Sequence, residues 1–232
     1  MIQNKRDLGG LKTKDGRVIR SGMLVRSAKL AEAEENDLKG IASIIDLRTI
    51  AEREEIPDAT CGREYLPVPV FNQMNEGISH EEEAEKKKDP LPDMAVLYSI
   101  LMRVYADNFG KILKTIIHHD FSKGAVLWHC TEGKDRCGMT TALVLEALGV
   151  DRETILEDYL KTNLINIPKA EKVREQLRET HGEEIAEGAY RAYIADEQYI
   201  RAAWEEMGSD YIRGRLGITD EELEAFRQTV LE

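Results

Sequence analysis

The sequence predicts an α/β fold: a central, mostly parallel, twisted sheet flanked by helices, with the C-terminal third of the chain helical. Three observations carry this. Two short apolar runs, Ala42–Leu47 and Val126–His129, lack the alternation of a half-exposed strand. They read as strands covered on both faces, the habit of parallel sheets. The second run leads within a few residues into Thr140–Leu148, an apolar segment of helical length closed by Gly149. From Asp151 onward every periodic stretch has helical spacing.

A length of 232 residues suits one domain spanning 1–232. An apolar content of 42% can fill a sizeable core, while 33% charged residues and a net charge of −12 argue for a soluble protein and against a general nucleic-acid binder. The charge is uneven. Residues 1–30 carry eight basic side chains (Lys5, Arg6, Lys12, Lys14, Arg17, Arg20, Arg26, Lys29) against two acidic ones (Asp7, Asp15). Near a binding site this segment attracts anions; elsewhere it is solvated surface. Cys61, Cys130 and Cys137 do not make a disulfide framework and fit a reducing compartment. No apolar run approaches the roughly 20 residues of a membrane span, and the N-terminus lacks the basic-then-apolar order of a secretory signal. The expectation is a cytoplasmic protein with no stable membrane insertion, export without a signal peptide staying open. Oligomeric state is not legible.

In chain order, Thr13-Lys14-Asp15-Gly16 reads as the turn of a small N-terminal hairpin. Glu32–Lys39 reads as a short helix closed by Gly40, and Ala42–Leu47 as a central parallel strand with Asp46 and Arg48 at its C-terminal end, where open α/β sheets put their ligands. Glu52–Glu55 starts a charged helix or turn stopped by Pro57. Glu64–Val70 is a strand that Pro67 and Pro69 push toward an edge. Residues 72–93, with Glu82–Lys86 and Glu83–Lys87 at i, i+4 spacing, form either a lid or a mobile surface excursion. Met94–Val104 and Phe109–His118 are amphipathic to buried helices. His118 and His119 are adjacent and so diverge on a helix, which leaves no metal pair. Beyond Asp151 come a helix ending before Pro168, another over Lys169–Thr180, a long one over Ala186–Met207, a short one over Tyr211–Leu216, and a last helix with capping-box character at Thr219–Glu222.

The segment between the second strand and its helix is Cys130-Thr131-Glu132-Gly133-Lys134-Asp135-Arg136-Cys137-Gly138. A loop this short between a buried strand and a helix N-terminus is a tight cradle. Its backbone N–H groups, from Thr131, Glu132, Gly133 and Lys134 to Arg136 and Cys137, make an anion site suited to phosphate or sulfate. Cys130 stands at its mouth, where the helix N-terminus and Arg136 favour a nucleophilic thiolate. Arg136 supplies a planar fork for two phosphate oxygens. The nearest proton source for a leaving oxygen is Asp135; Asp46 is the second candidate, its rival role being to orient the loop through Lys134 or Arg48. His129 sits behind the nucleophile.

Cys-x5-Arg after an apolar strand resembles the signature of the protein tyrosine phosphatase superfamily. The longer His-Cys-x-x-Gly-Lys-Asp-Arg-x-Gly form resembles the bacterial tyrosine/lipid phosphatases within it. Asn4-x-Arg6-Asp7-Leu8-Gly9-Gly10, Arg26-Ser27 and Ile45-Asp46-Leu47-Arg48 follow in the order of that family. The resemblance implies a phosphatase-like fold and hydrolysis of phosphotyrosine, with phosphoserine/threonine or phosphoinositides as further substrates. It implies a cysteinyl-phosphate on Cys130, phosphate bound by Arg136, a general acid at Asp135, and Lys134 assisting doubly phosphorylated or lipid head groups. Arg6, Asp7 and Arg26 match positions that support the site; pairing of Arg6 and Asp7 with Asp46 or Arg48 is one expectation. No cofactor or metal is called for. One departure stands out: the family usually has Thr or Ser where this chain has Cys137. A thiol is a weaker donor to the nucleophilic sulfur, and Cys130 and Cys137 are spaced so that oxidation could join them. Two other readings use the same loop: a phosphate-binding module without turnover, and sulfur or arsenate chemistry. Retention of Cys130, Asp135 and Arg136 argues against the first, and the Gly-Lys-Asp-Arg run against the second.

Overall fold

Five strands, β1 (Arg6–Asp7), β2 (Leu24–Ser27), β3 (Ile41–Asp46), β4 (Glu64–Pro67) and β5 (Ala125–His129), form one sheet in the order β1-β2-β5-β3-β4. The computed structural model describes residues 1–71 and 93–232. β1 runs antiparallel to β2, and every other pairing is parallel. β5 lies at the centre, and its register sets Ser27 and Asp46 beside His129 at the C-terminal edge. β4, the strand with prolines, is an edge strand. Residues 72–92, where the lid or excursion is expected, lie outside the described residues.

Period-two alternation splits β5 between two cores. Val126 and Trp128 join the larger cluster with Leu24, Ile45 and the helices, whereas Ala125 and Leu127 face Val25, Ile44, Leu30 and Leu38. The second face is covered by the N-terminal segment and by residues 30–41, where a single 3-10 turn (Glu35–Leu38) replaces the expected helix. The helices are α1 (Ile50–Glu55), α2 (Met94–Val104), α3 (Ala106–Ile117), α4 (Asp135–Leu148), α5 (Arg152–Leu160), α6 (Asn163–His181), α7 (Glu183–Tyr193), α8 (Glu197–Glu206) and α9 (Asp220–Val230). A π-helical turn at Tyr211–Arg215 precedes the last of them.

Two sequence expectations fail here for local reasons. Pro168 does not end a helix: it lies inside α6, near its N-terminal end. The carbonyl it leaves without an amide partner belongs to Leu164, which is 78% exposed and can meet water. The long helix over Ala186–Met207 is two, because Ile194 is extended and Asp196 caps α8 by accepting from the Gln198 N–H.

Candidate active site

The loop from Cys130 to Arg136 is fastened from outside by its carbonyls. The Thr131 carbonyl accepts from the Lys29 N–H at 3.1 Å. The Glu132 and Gly133 carbonyls accept from the Asn4 side-chain amide at 3.2 and 2.9 Å, and Gly133 also from Arg26 Nη2 at 2.7 Å. With the carbonyls turned out, the amides turn in. Among the described residues no backbone carbonyl accepts from the N–H groups of Thr131 to Lys134. Gly133 makes the turn at φ +68°, and a Cβ there would lie 2.7 Å from the Ser27 carbonyl oxygen. The result is a nest of amides above Cys130, continued by the N-terminus of α4.

Arg136 is almost wholly buried and held by a residue the sequence reading missed. Its Nη1 and Nη2 donate to Glu52 Oε2 and Oε1 at 2.6 and 2.7 Å. Glu52 Oε1 also accepts from the Thr131 hydroxyl at 2.6 Å, and Oε2 from the Thr49 N–H at 2.9 Å. The capping box of α1, Thr49-x-x-Glu52, thus doubles as the clamp on the arginine fork. Burial pushes the Glu52 carboxyl up, but Arg136 and the hydrogen bonds outweigh it and hold the group at about 2. Burial also works against the Arg136 charge, and Glu52, followed by Cys130, more than offsets it.

Electrostatics at the cysteine differ from the simple expectation of a favoured thiolate. Burial pushes the Cys130 thiol up to about 11. The Arg136 guanidinium and the Cys137 N–H pull it down, while the neighbouring Cys137 thiol and Asp135 add to the upward push. The helix N-terminus and Arg136 are present as expected, but burial outweighs them, and the Arg136 fork is shared with the Glu52 carboxylate. Glu52→Gln should therefore lower the pH midpoint of Cys130 alkylation by iodoacetamide by about one unit. An unchanged or higher midpoint, read by mass spectrometry across a pH series, would show that Glu52 does not act on the thiol. All three cysteines are free, and Cys137 is fully buried with its sulfur 3.8 Å from the Trp128 carbonyl oxygen.

Beneath the loop lies a buried cluster of two guanidiniums and one carboxylate. Asp158 on α5 accepts from Arg6 Nε at 2.8 Å and from Arg26 Nη1 at 2.9 Å. This corrects the pairing expected for Arg6, which meets Asp158 and Asn4, not Asp46 or Arg48. Asp7 instead ties two turns, accepting from the N–H groups of Gly9 and Gly22 at 3.0 and 2.6 Å. Burial alone would weaken the Arg26 charge; Cys137, Asp158 and Cys130 together more than restore it.

Asp46 and Arg48 pair with each other at the end of β3, Arg48 Nη2 lying 2.8 Å from Asp46 Oδ2. Arg48 also reaches Asp58, and the Tyr65 hydroxyl donates to Asp46 at 2.6 Å. Burial opposes the Asp46 charge, yet His129, Arg48 and Tyr65 hold the carboxyl well below the usual range. His129 Nε2 is 3.2 Å from Asp58 and 3.8 Å from Asp46, and its Nδ1 is 3.2 Å from the Cys130 carbonyl oxygen. Asp46, Asp58 and His129 are close enough to share a cation, but both carboxylates already bind the Arg48 guanidinium.

Lys134 and Asp135 turn toward the helices. The Lys134 ammonium is fully buried, donating to the Ala192 carbonyl and at 3.2 Å to that of Ile194, and lying 3.1 Å from Asp135 Oδ1. The same oxygen accepts from the Tyr98 hydroxyl at 2.6 Å, which in turn meets the Tyr159 hydroxyl at 2.7 Å. Glu132, largely buried, binds Lys169 Nζ at 2.8 Å. The structure therefore gathers Cys130 to Cys137, His129, Asp46, Arg48 and Arg6 around one loop. Glu52, Asp58, Tyr98, Tyr159 and Asp158, which sequence reasoning missed, join them. Only Glu52 had a local signal, its capping box.

The family model for the tyrosine phosphatase family matches residues 1–232. A Cupriavidus necator protein named as a tyrosine-protein phosphatase is 31% identical over 176 residues, covering 71% of this chain and 62% of that protein. The triple specificity protein phosphatase PtpB of Mycobacterium tuberculosis is 35% identical over 111 residues, 46% of this chain and 34% of PtpB. The solved structure of P. aeruginosa TpbA aligns with 81% of this chain and 90% of its own, at 16% identity and a TM-score of 0.40. This chain thus spans less than two thirds of the length of the curated relatives it matches. With its signature loop built as described and the family model matching from end to end, the chain belongs to the tyrosine phosphatase family.

Proposed function

We propose that the chain is a phosphomonoester hydrolase acting on phosphotyrosine through a cysteinyl-phosphate on Cys130. One observation carries this reading: a loop with carbonyls tied outward and amides turned inward, a cysteine at its start and a clamped arginine at its end. In this reading the Cys130 thiolate attacks phosphorus, and the ester oxygen leaves with the proton of Asp135. Water then attacks the phosphorus, yields its proton to the Asp135 carboxylate, and displaces the thiolate as inorganic phosphate forms. Arg136 and the inward amides neutralise the non-bridging oxygens throughout, a task that needs no metal. His129 and the Asp46–Arg48 pair brace the strand end. Full burial and engagement of Asp46 by Arg48 and Tyr65 favour its structural role and support Asp135 as the acid.

The substrate range proposed for the chain extends to phosphoserine/threonine and phosphoinositides; a relative named for triple specificity supports breadth. A single domain over residues 1–232 working in the cytoplasm completes the proposal. The test is hydrolysis of p-nitrophenyl phosphate in excess chelator. Turnover blocked by vanadate, with Asp135→Asn slowing kcat/KM by about 10²–10⁴, is the expected result. Phosphate binding without turnover would make the chain a regulatory module. An unaltered pH profile in Asp135→Asn would move the acid to Asp46.

A further inference from the structure

We infer that Tyr98, backed by Tyr159 and assisted by Lys134, is a positioning residue that dictates which oxygen of the Asp135 carboxyl carries the acidic proton. The inference rests on the proposed role of Asp135 and extends it to residues on two helices and to the residue that precedes α4. Asp135 Oδ1 lies 2.6 Å from the Tyr98 hydroxyl and 3.1 Å from Lys134 Nζ. An ammonium has no lone pair, so it can only donate, and the Tyr98 hydroxyl donates to the same oxygen. With Asp135 ionised, Oδ1 accepts from both groups. A proton on Oδ1 would crowd the ammonium and force Tyr98 to turn its own hydrogen to Tyr159, so in the acid form Oδ2 is the favoured place for it.

The rest of the cluster holds these donors still. Since Tyr98 spends its proton on Asp135, the Tyr159 hydroxyl 2.7 Å away must donate to Tyr98, so the chain of donors runs Tyr159 to Tyr98 to Asp135. Tyr98 on α2 is 0% exposed and Tyr159 on α5 is 1% exposed. Their rings meet edge to face at 6.1 Å. Tyr159 also packs against the first turn of α4, where a Cβ added to Gly138 would come within 3.1 Å of its ring. Asp135 opens that same turn. Lys134 is equally fixed: its three N–H donors match three acceptors, the carbonyls of Ala192 and Ile194 and Asp135 Oδ1. In this arrangement it serves Asp135, and no donor remains for a second phosphate.

An acid is needed in proportion to how poor the leaving group is. The test is kcat/KM for two aryl phosphates: phenyl phosphate, whose phenol resembles tyrosine with a pKa of about 10, and 2,4-dinitrophenyl phosphate, whose phenolate leaves unprotonated. Tyr98→Phe removes only the hydroxyl. It is expected to lower kcat/KM for phenyl phosphate about tenfold while the dinitrophenyl ester stays within about twofold. Tyr159→Phe is expected to show the same selectivity, more weakly, and decides the matter should Tyr98→Phe fail to fold. Asp135→Asn run alongside should show the strongest selectivity. Equal losses on both esters in the tyrosine variants would mean a merely structural role and overturn the inference. So would selectivity in Asp135→Asn with none in either tyrosine variant, leaving the proposed function standing. No selectivity in Asp135→Asn would take down the acid assignment as well.

Discussion

Cys130→Ser is expected to abolish turnover, a loss on the order of 10⁴ or more, while inorganic phosphate still binds the loop. A hydroxyl is close to a thiol in size, and the groups proposed to hold an anion here are not on the cysteine. They are the inward amides of residues 131–134, the N-terminus of α4, and the Arg136 fork clamped by Glu52. The serine hydroxyl is a far weaker nucleophile than a thiolate. Phosphate affinity measured by calorimetry should stay within a few-fold of the parent chain. A serine variant with substantial residual hydrolysis would place the nucleophile elsewhere. A variant that binds no phosphate would show that the loop is not the anion site.

The second large effect is on stability. Asp158→Leu should cost about 3–5 kcal/mol, the penalty for breaking a buried ion pair and leaving its partners unmatched. The side chains of Asp158 and Arg26 are 3% and 0% exposed, and Arg6 shares the same carboxylate. Without Asp158 the Arg6 and Arg26 guanidiniums lose the carboxylate they share beneath the Cys130–Arg136 loop. At roughly 2–4 °C per kcal/mol for a chain of this size, the midpoint of thermal unfolding should fall by about 6–20 °C. The pH dependence has a definite sign. Burial pushes the Asp158 carboxyl up, but Arg26 and Arg6 outweigh it and hold it below its usual 3.8. Its stabilising contribution is complete above that value and is lost as pH falls through the depressed folded-state pKa. A urea midpoint unchanged by Asp158→Leu at pH 7 would show that the cluster is not what holds the underside of the loop.

Much of the site was legible because its chemistry is local. Cys130, Asp135 and Arg136 lie within seven residues, and a strand, a short loop and a helix in succession leave their backbone few conformations. The hairpin at Thr13–Gly16, the central strand Ile41–Asp46 and the proline-marked edge strand could be read for the same reason: turn residues and burial patterns act over a few positions. The missed groups are those whose partners are distant in the chain. Glu52 and Arg136 are 84 residues apart, Arg6 and Asp158 152, and Tyr98 and Asp135 37. A charged residue on a short helix looks the same in sequence whether it faces water or a guanidinium.

By itself the sequence determined the α/β class, the strand–loop–helix that carries Cys130 and Arg136, and the tight turn between them. These follow from periodicity, residue type and chain stiffness, all short-range. Only the tertiary structure decided which carboxylate clamps the arginine, that Arg6 and Arg26 share Asp158, that Lys134 is turned inward onto Asp135, and that burial raises the thiol that the helix N-terminus and Arg136 were expected to lower. The physical reason is that desolvation and charge pairing depend on what the fold stacks around a group, and that is set by contacts between segments the chain keeps far apart.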